Sequence, residues 1–144
     1  MSENSSFFRR QMSDSLVTAA FVVLSGGFQD AYTYCCRGKV FANAQTGNIV
    51  LMSANLLSGE AAHSVKYIVP LVSFLIGIMA AEWVHCRFKN YEKIHWRQMI
   101  LVAEAALLFG VGFLPQSVNS LANALVSFVC ALQVQTFHKV HGCV

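Results

Sequence analysis

Apolar residues fall into five long blocks separated by short polar or charged interruptions. The first, Ser15 to Tyr34, is long enough for a membrane-spanning helix, which needs about 20 mainly apolar residues. A charged corner, Arg37-Gly38-Lys39, follows it. The second block, Val40 to Leu57, is uneven: Asn43, Gln45, Thr46 and Asn48 crowd its first half, while Ile49 to Leu57 is cleaner. It predicts either one slightly polar span or a broken element whose helix begins near Thr46. The third block, Val65 to Val84, has Tyr67 near one end and Trp83 near the other, as the aromatic belts of membrane helices require. Pro70 lies in its first turns, where a missing N–H matters least. The fourth, Gln98 to Leu114, stops before Pro115, and the fifth, Val118 to Val134, begins after a turn without charge. Residues 1–14 are polar and Ser-rich and are expected to be disordered, with Asp14 or Ser15 as the first N-cap. Residues 15–144 are expected to form one all-α domain, a polytopic transmembrane bundle of four to five apolar segments.

Composition sharpens this picture. Hydrophobic residues make up 56% of the chain and charged ones 12%, against about 25% charged in ordinary soluble domains. A soluble helical bundle, the competing architecture, needs more charge to cover its surface. The charges are also segregated: Ala105 to His138, Val40 to Gly59 and Tyr67 to Ala81 contain no Asp, Glu, Lys or Arg. The net charge of +3 is small, and Lys and Arg lie between the apolar blocks instead of forming a nucleic-acid patch. The basic loop from His85 to Gln98 is expected to be cytoplasmic. The basic count leaves the N-terminus undecided, because the answer turns on whether residues 40–57 cross. Arg9-Arg10 followed by Leu16 to Leu24 and Ser25-Gly26-Gly27 is similar to a signal peptide. The segment stays apolar through Tyr34, so a retained helix is the expectation and a cleaved signal the alternative. Five cysteines, at 35, 36, 86, 130 and 143, do not form a disulfide framework by count or spacing.

Candidate chemistry concentrates in Gly26-Gly27-Phe28-Gln29-Asp30 and in Gln45-Thr46-Gly47-Asn48. An acid inside a membrane segment marks a functional-site hypothesis, since lipid offers no solvation. Asp30 reads either as a proton- or cation-handling acid or as a helix-end acid paired with Arg37 or Lys39. Gly26 and Gly27, near the same helix face, would let another backbone approach. Thr46 could cap a half-helix whose amides attract an anionic group, with Gly47 allowing close approach. The alternative is an ordinary capped helix with Asn48 satisfied locally. Glu104, two turns beyond Arg97, reads as a substrate contact or as a charge paired toward the loop, and the pairing is expected. Glu82 beside Trp83 reads as an interfacial charge. Gln133 and Gln135 could donate amides to a site or bond between helices. His138, His141 and Cys143, with His85-Cys86, match no closed zinc-site spacing, and no metal or cofactor is expected. No nucleophile elbow or phosphate loop is present in the sequence, so no enzyme activity is expected. Setting Ser25–Val40 over Val129–Val144 aligns Gln29 with Gln133, Gly38 with Gly142 and Val40 with Val144, a faint internal repeat.

Through Gly27-Phe28-Gln29-Asp30-Ala31, Gly38, Phe41 and Thr46-Gly47-Asn48 the chain resembles the YoaK-like family of uncharacterised multi-span membrane proteins. Asp30, Thr46, Gly47 and Asn48 match its pattern, while Gln29 replaces a usually apolar residue. Gln133 with Thr136-Phe137-His138-Lys139-Val140 looks like the start of a second, related motif, with Val134 where the family has Asn. The resemblance implies a longer family protein with further helices, of which this chain would be an N-terminal fragment, a truncated gene model or a degenerate copy. Two functions follow as expectations. One is a small-solute or ion carrier in the plasma membrane with Gln29, Asp30, Thr46, Gly47, Asn48 and Gln133 around its site. The other is a non-transporting scaffold or partner-binding protein, or a non-functional copy. Expected partners are the lipid bilayer, a small solute or ion, and a second copy of the chain, with no nucleic acid.

Overall fold

The computed structural model describes residues 16–88 and 96–137, and every regular element among them is helical. In chain order they are α1 (Leu16–Cys36), α2 (Gln45–Leu57), the single-turn α3 (Ala61–Ser64), a 3-10 turn at Val65–Tyr67 and α4 (Ile68–Phe88). Then come α5 (Trp96–Gly112), a 3-10 turn at Gln116–Val118 and α6 (Asn119–Phe137). Residues 1–14, the cap expected at Asp14 or Ser15, and the His138-His141-Cys143 cluster lie outside the described residues.

The helices run alternately between two ends of a bundle. At one end Arg37, just past α1, donates to the Pro115 carbonyl (3.2 Å) and to Asn119 Oδ1 (3.3 Å), while Lys66 Nζ donates to the Gly38 carbonyl (3.2 Å). At the other end Gln135 Nε2 donates to Glu82 Oε2 (3.0 Å), tying the ends of α4 and α6 together. Thus α1 and α5 run one way, and α4 and α6 the other.

Helix α6 is the hub. Ala122, Val126, Val129, Cys130 and Ala131 are buried, and α1, α4 and α5 all pack against it. Near the Arg37 end its Ala122, Val126 and Cys130 join Ala42 and Val111; near the other end Leu132 joins Ala81 and Ile100. The α4–α6 contact is backbone-close. A Cβ added at Gly77 would lie 2.6 Å from Ala131 Cβ and 2.7 Å from the Phe128 carbonyl oxygen. Small residues permit such approaches in lipid, where no hydrophobic force drives helices together.

The distribution of polarity is inverted relative to a water-soluble bundle. Phe21, Phe28, Leu57, Met79, Phe109 and Phe113 face outward, whereas Gln29, Thr33, Arg37, Asn48, Glu104 and Ser127 are buried. An apolar exterior of this extent needs an apolar partner. Two helices, Ala61–Arg87 and Gln116–Phe137, are long and apolar enough to cross a membrane. The expected four to five apolar spans are not all of that kind. Helix α5 has 17 residues, α2 has 13, and the 21-residue α1 is interrupted by Ser25, Gly26, Gly27, Gln29 and Asp30.

Residues 40–57 follow the broken-element reading. The chain turns at Gly38 (φ +97°) and Lys39 (φ +64°), a left-handed reversal in which glycine carries no Cβ penalty. It then continues without helix, with Val40 and Ala42 buried, until α2 opens at Gln45. At about 1.5 Å per residue α2 is about 20 Å long, against a hydrocarbon core of about 30 Å. The chain is back beside Gly38 by Lys66. Residues 38–66 therefore start and finish at the same end of the bundle.

Candidate functional site

The non-helical stretch 40–44 carries backbone groups that need partners, and Asp30 supplies one. Its Oδ1 accepts hydrogen bonds from the backbone N–H groups of Asn43 (2.6 Å) and Ala44 (3.4 Å), at the start of α2. The pairing with Arg37 or Lys39, one of the two readings of Asp30, does not form. Arg37 is engaged elsewhere, and Lys39 Nζ sits 5.0 Å from the centre of the Tyr34 ring. Asp30 is thus an anchor between helices, which capping logic explains: a carboxylate satisfies amides that a helix start leaves without acceptors. Gly26 lies under the same loop, where a Cβ would meet Asn43 Nδ2 at 2.9 Å, whereas a Cβ at Gly27 would meet nothing within 4 Å.

Asn48, on the first turn of α2, is fully committed. Its Oδ1 accepts from the Phe41 N–H (2.9 Å), and its Nδ2 donates to the Phe41 carbonyl (2.7 Å) and to Gln45 Oε1 (2.9 Å). Gln45 Nε2 in turn donates to the Ala42 carbonyl (2.6 Å). The cap expected from Thr46 does not form: the N-cap is Ala44, with no side-chain cap bond, and Thr46 is exposed. The polar side chains at 45 and 48 and the Asp30 carboxylate satisfy this turn without it. Gly47 makes room for an aromatic ring instead of a backbone, since a Cβ there would stand 2.9 Å from Phe41 Cδ2. We expect Asn48→Ala, which strips both Phe41 backbone groups of their partner, to cost about 1–3 kcal/mol in thermal unfolding in detergent. Asp30→Asn should cost less than Asp30→Ala in the same assay, because the amide oxygen still accepts.

Gln29 and Gln133 do come together. Gln29 Nε2 donates to Gln133 Oε1 (3.3 Å) and to Ser25 Oγ (3.0 Å), while the Cys130 thiol donates to Gln29 Oε1 (2.9 Å). The two glutamines that the faint repeat aligns meet across the antiparallel α1–α6 contact. Gln29 also lines a cleft of about 250 Å³ between α1, α5 and α6, walled by Phe28, Tyr32, Leu108, Val111 and Val126. The walls are apolar and the glutamine provides a polar point on them, the usual make-up of a small-molecule site.

Two further residues were undervalued by sequence reasoning. The Arg37 guanidinium is buried and donates to the carbonyls of Val111 (3.3 Å), Leu114 (2.9 Å) and Pro115, to Asn119 Oδ1 and to Tyr32 OH (2.6 Å). It caps the C-terminal end of α5, where carbonyls lack partners and the helix dipole is negative. Asn123 Nδ2 donates back to the Arg37 carbonyl (2.8 Å). The available signal was that α5 ends at Gly112, shortly before Pro115, with no Lys, Arg or His of its own in its last turn. Glu104 was expected to pair toward the loop through Arg97. It is instead 4% exposed, with Oε1 buried and without a hydrogen-bond partner. Glu82, by contrast, is exposed and lies 3.7 Å from His85 Nδ1 as well as bonding Gln135. Among the described residues no group of three or more His, Cys, Asp or Glu comes together to hold a metal ion.

The fold is an all-helical bundle with an apolar exterior, polar side chains buried among its apolar core, and two helices long and apolar enough to cross a membrane. The chain belongs to DUF1275, a family of proteins of unknown function, which matches residues 18–143. No curated protein and no solved structure matches it.

Proposed function

We propose that this is a YoaK-like, multi-pass protein of the plasma membrane that carries a small hydrogen-bonding solute or ion through the interior between α1, α5 and α6. The observation that carries the reading is the buried Gln29–Gln133 amide pair, bonded across 104 positions beside the α1–α5–α6 cleft. Buried polar groups without a structural need are costly in lipid, and sites between repeated segments are a recurring transporter device. In this reading α1, α4, α5 and α6 cross, while residues 38–66 dip in and return on one face. The positive-inside rule then puts Lys/Arg 9, 10, 87, 89, 93, 97 and 139 in the cytoplasm, and 37, 39 and 66 outside. Gln29 and Gln133 contact the solute, and Asp30, Gly47 and Asn48 hold the re-entering turn around it, with Thr46 at its outer surface.

Proteoliposomes challenged with a panel of labelled small amides, amines and amino acids test this. At least one solute should accumulate above protein-free vesicles, and Gln29→Leu or Gln133→Leu should lower its uptake about tenfold, the loss of one or two hydrogen bonds. Absence of uptake for the whole panel would favour the second reading, a non-transporting scaffold. That reading has its own support in Asp30 and Asn48, whose bonds are all made within the fold.

A further inference from the structure

The cleft beside Gln29 exists because α1 and α5 each pack on α6 and scarcely on one another. Helix spacing builds its two walls. Phe28 and Tyr32, four apart on α1, put aromatic rings on one side, and Leu108, Val111 and Gly112 of α5 put an aliphatic face on the other. Gln29 and Val126, both buried, line its deeper part, while Phe28 is 76% exposed. The cleft therefore runs inward from the apolar exterior of the bundle. Gly112 keeps it open, since a Cβ added there would meet nothing within 4 Å.

The lining is uncharged: no Asp, Glu, Lys, Arg or His belongs to it. The neighbouring Arg37, which bonds Tyr32 OH and the Val111 carbonyl, spends all five of its N–H groups on oxygens of the protein. Gln29 and Tyr32 are the polar side chains of the wall, and both are engaged, Gln29 with Ser25, Gln133 and Cys130 and Tyr32 with Arg37. What they retain is the hydroxyl hydrogen of Tyr32 and the second lone pair of the Gln29 oxygen. These match one neutral polar group on a guest and do not offset the desolvation of a charge. Two aromatic rings opposite an aliphatic wall favour a flat aromatic guest, which stacks or meets ring edges and has little conformational entropy to lose. The volume of about 250 Å³ falls just below the range of drug-sized pockets and suits about one or two fused rings.

We propose that the cleft between α1, α5 and α6 binds a small uncharged aromatic molecule bearing a single neutral hydrogen-bonding group. The inference names the substrate class of the carrier proposed above and rests on that reading for its purpose, while the binding itself rests on the cleft. Binding of tritiated indole to the full chain in lipid nanodiscs, corrected for empty nanodiscs, tests it without any need for flux. Indole should bind saturably. Tryptamine and indole-3-acetate, which carry the same ring with a positive or a negative charge, should compete at least about tenfold more weakly than unlabelled indole. Decanol, which offers an alkyl chain in place of a ring, should compete as weakly. Gly112→Leu fills the open side of the cleft and should lower indole affinity about tenfold or more, whereas Gly110→Leu, which also meets open space but lies outside the lining, should leave it unchanged. If Gly112→Leu does not fold, Phe28→Ala decides, because that exposed ring can be removed without opening the core and its loss should still lower affinity severalfold. No saturable indole binding, or binding that Gly112→Leu and Phe28→Ala both leave unchanged, would overturn the site. Competition by either charged indole as strong as that of indole would contradict its neutrality, and equal competition by decanol would make the occupant a lipid chain; both overturn the proposal. Indole binding without solute uptake counts against the carrier alone, and uptake without indole binding against this site alone.

Discussion

Arg37→Met should unfold or severely destabilise the protein, by roughly 3–5 kcal/mol, although it replaces a charge with an apolar side chain of similar reach in an apolar bundle. The reason lies in what the guanidinium leaves behind. Carbonyls of Val111, Leu114 and Pro115, the Asn119 amide oxygen and the Tyr32 hydroxyl all lose a donor at once. These groups cluster around the end of α5, where no further turn of helix replaces the lost donor and the Val111 carbonyl is buried from water. Arg37→Lys should recover only part of the loss. An ammonium has three donors on a point charge, and five acceptors spread around a planar fork need the geometry of arginine. Thermal unfolding in detergent and yield from membranes are the measurements. A Met variant as stable as the parent would show that Arg37 is a solvated corner residue, as its place in a charged triplet first suggests.

Gly77→Val should have the next largest effect. Its Cβ would overlap Ala131 Cβ and the Phe128 carbonyl oxygen, and backbone cannot swing aside as a long side chain does. Helices α4 and α6 would separate, at a cost of about 3 kcal/mol, the upper range of ordinary overpacking. Gly77→Ala should already be damaging, and adding Ala131→Gly should restore only part, because the Phe128 oxygen remains. Gel filtration and thermal unfolding of the three variants check this. Gly110→Ala, where nothing stands within 4 Å of the added Cβ, is the matched control and should be nearly neutral.

Much of the helix plan was legible because it depends on local signals. Pro115 and its charge-free surroundings marked the α5–α6 turn, and Arg37-Gly38-Lys39 marked the end of α1. The polar first half of residues 40–57 flagged a break, and the break is there. What escaped depends on partners far along the chain. Arg37 is anchored by groups 74 to 82 positions away, so sequence spacing pointed only to a loop charge. Gly77 is one small residue in an apolar run, and only the Ala131–Phe128 surface of α6 gives it meaning. Spacing of seven put Arg97 and Glu104 on one side of α5 and suggested a pair, but packing against α6 turned Glu104 into the interior. Thr46 had the right chemistry for a cap two positions too late, after Ala44 and Gln45 had already opened the helix. For the candidate site, motif and repeat singled out Gln29 and Gln133, which the fold brings into direct contact, whereas Cys130, which donates to Gln29, carried no signal of its own.

The account stands or falls on a membrane bundle with two distinct faces, into which residues 38–66 dip and return. Single cysteines in an otherwise cysteine-free chain test it directly, with a membrane-impermeant maleimide applied to sealed vesicles of each orientation. Lys39→Cys and Lys66→Cys should react from the same, external face, because Lys66 and Gly38 are hydrogen-bonded neighbours. Cys86, exposed near the far end of α4, should react only from the cytoplasmic face. Labelling of positions 39 and 66 from opposite faces would mean that residues 40–57 cross, and labelling of all three from one face would deny that α4 spans the membrane at all.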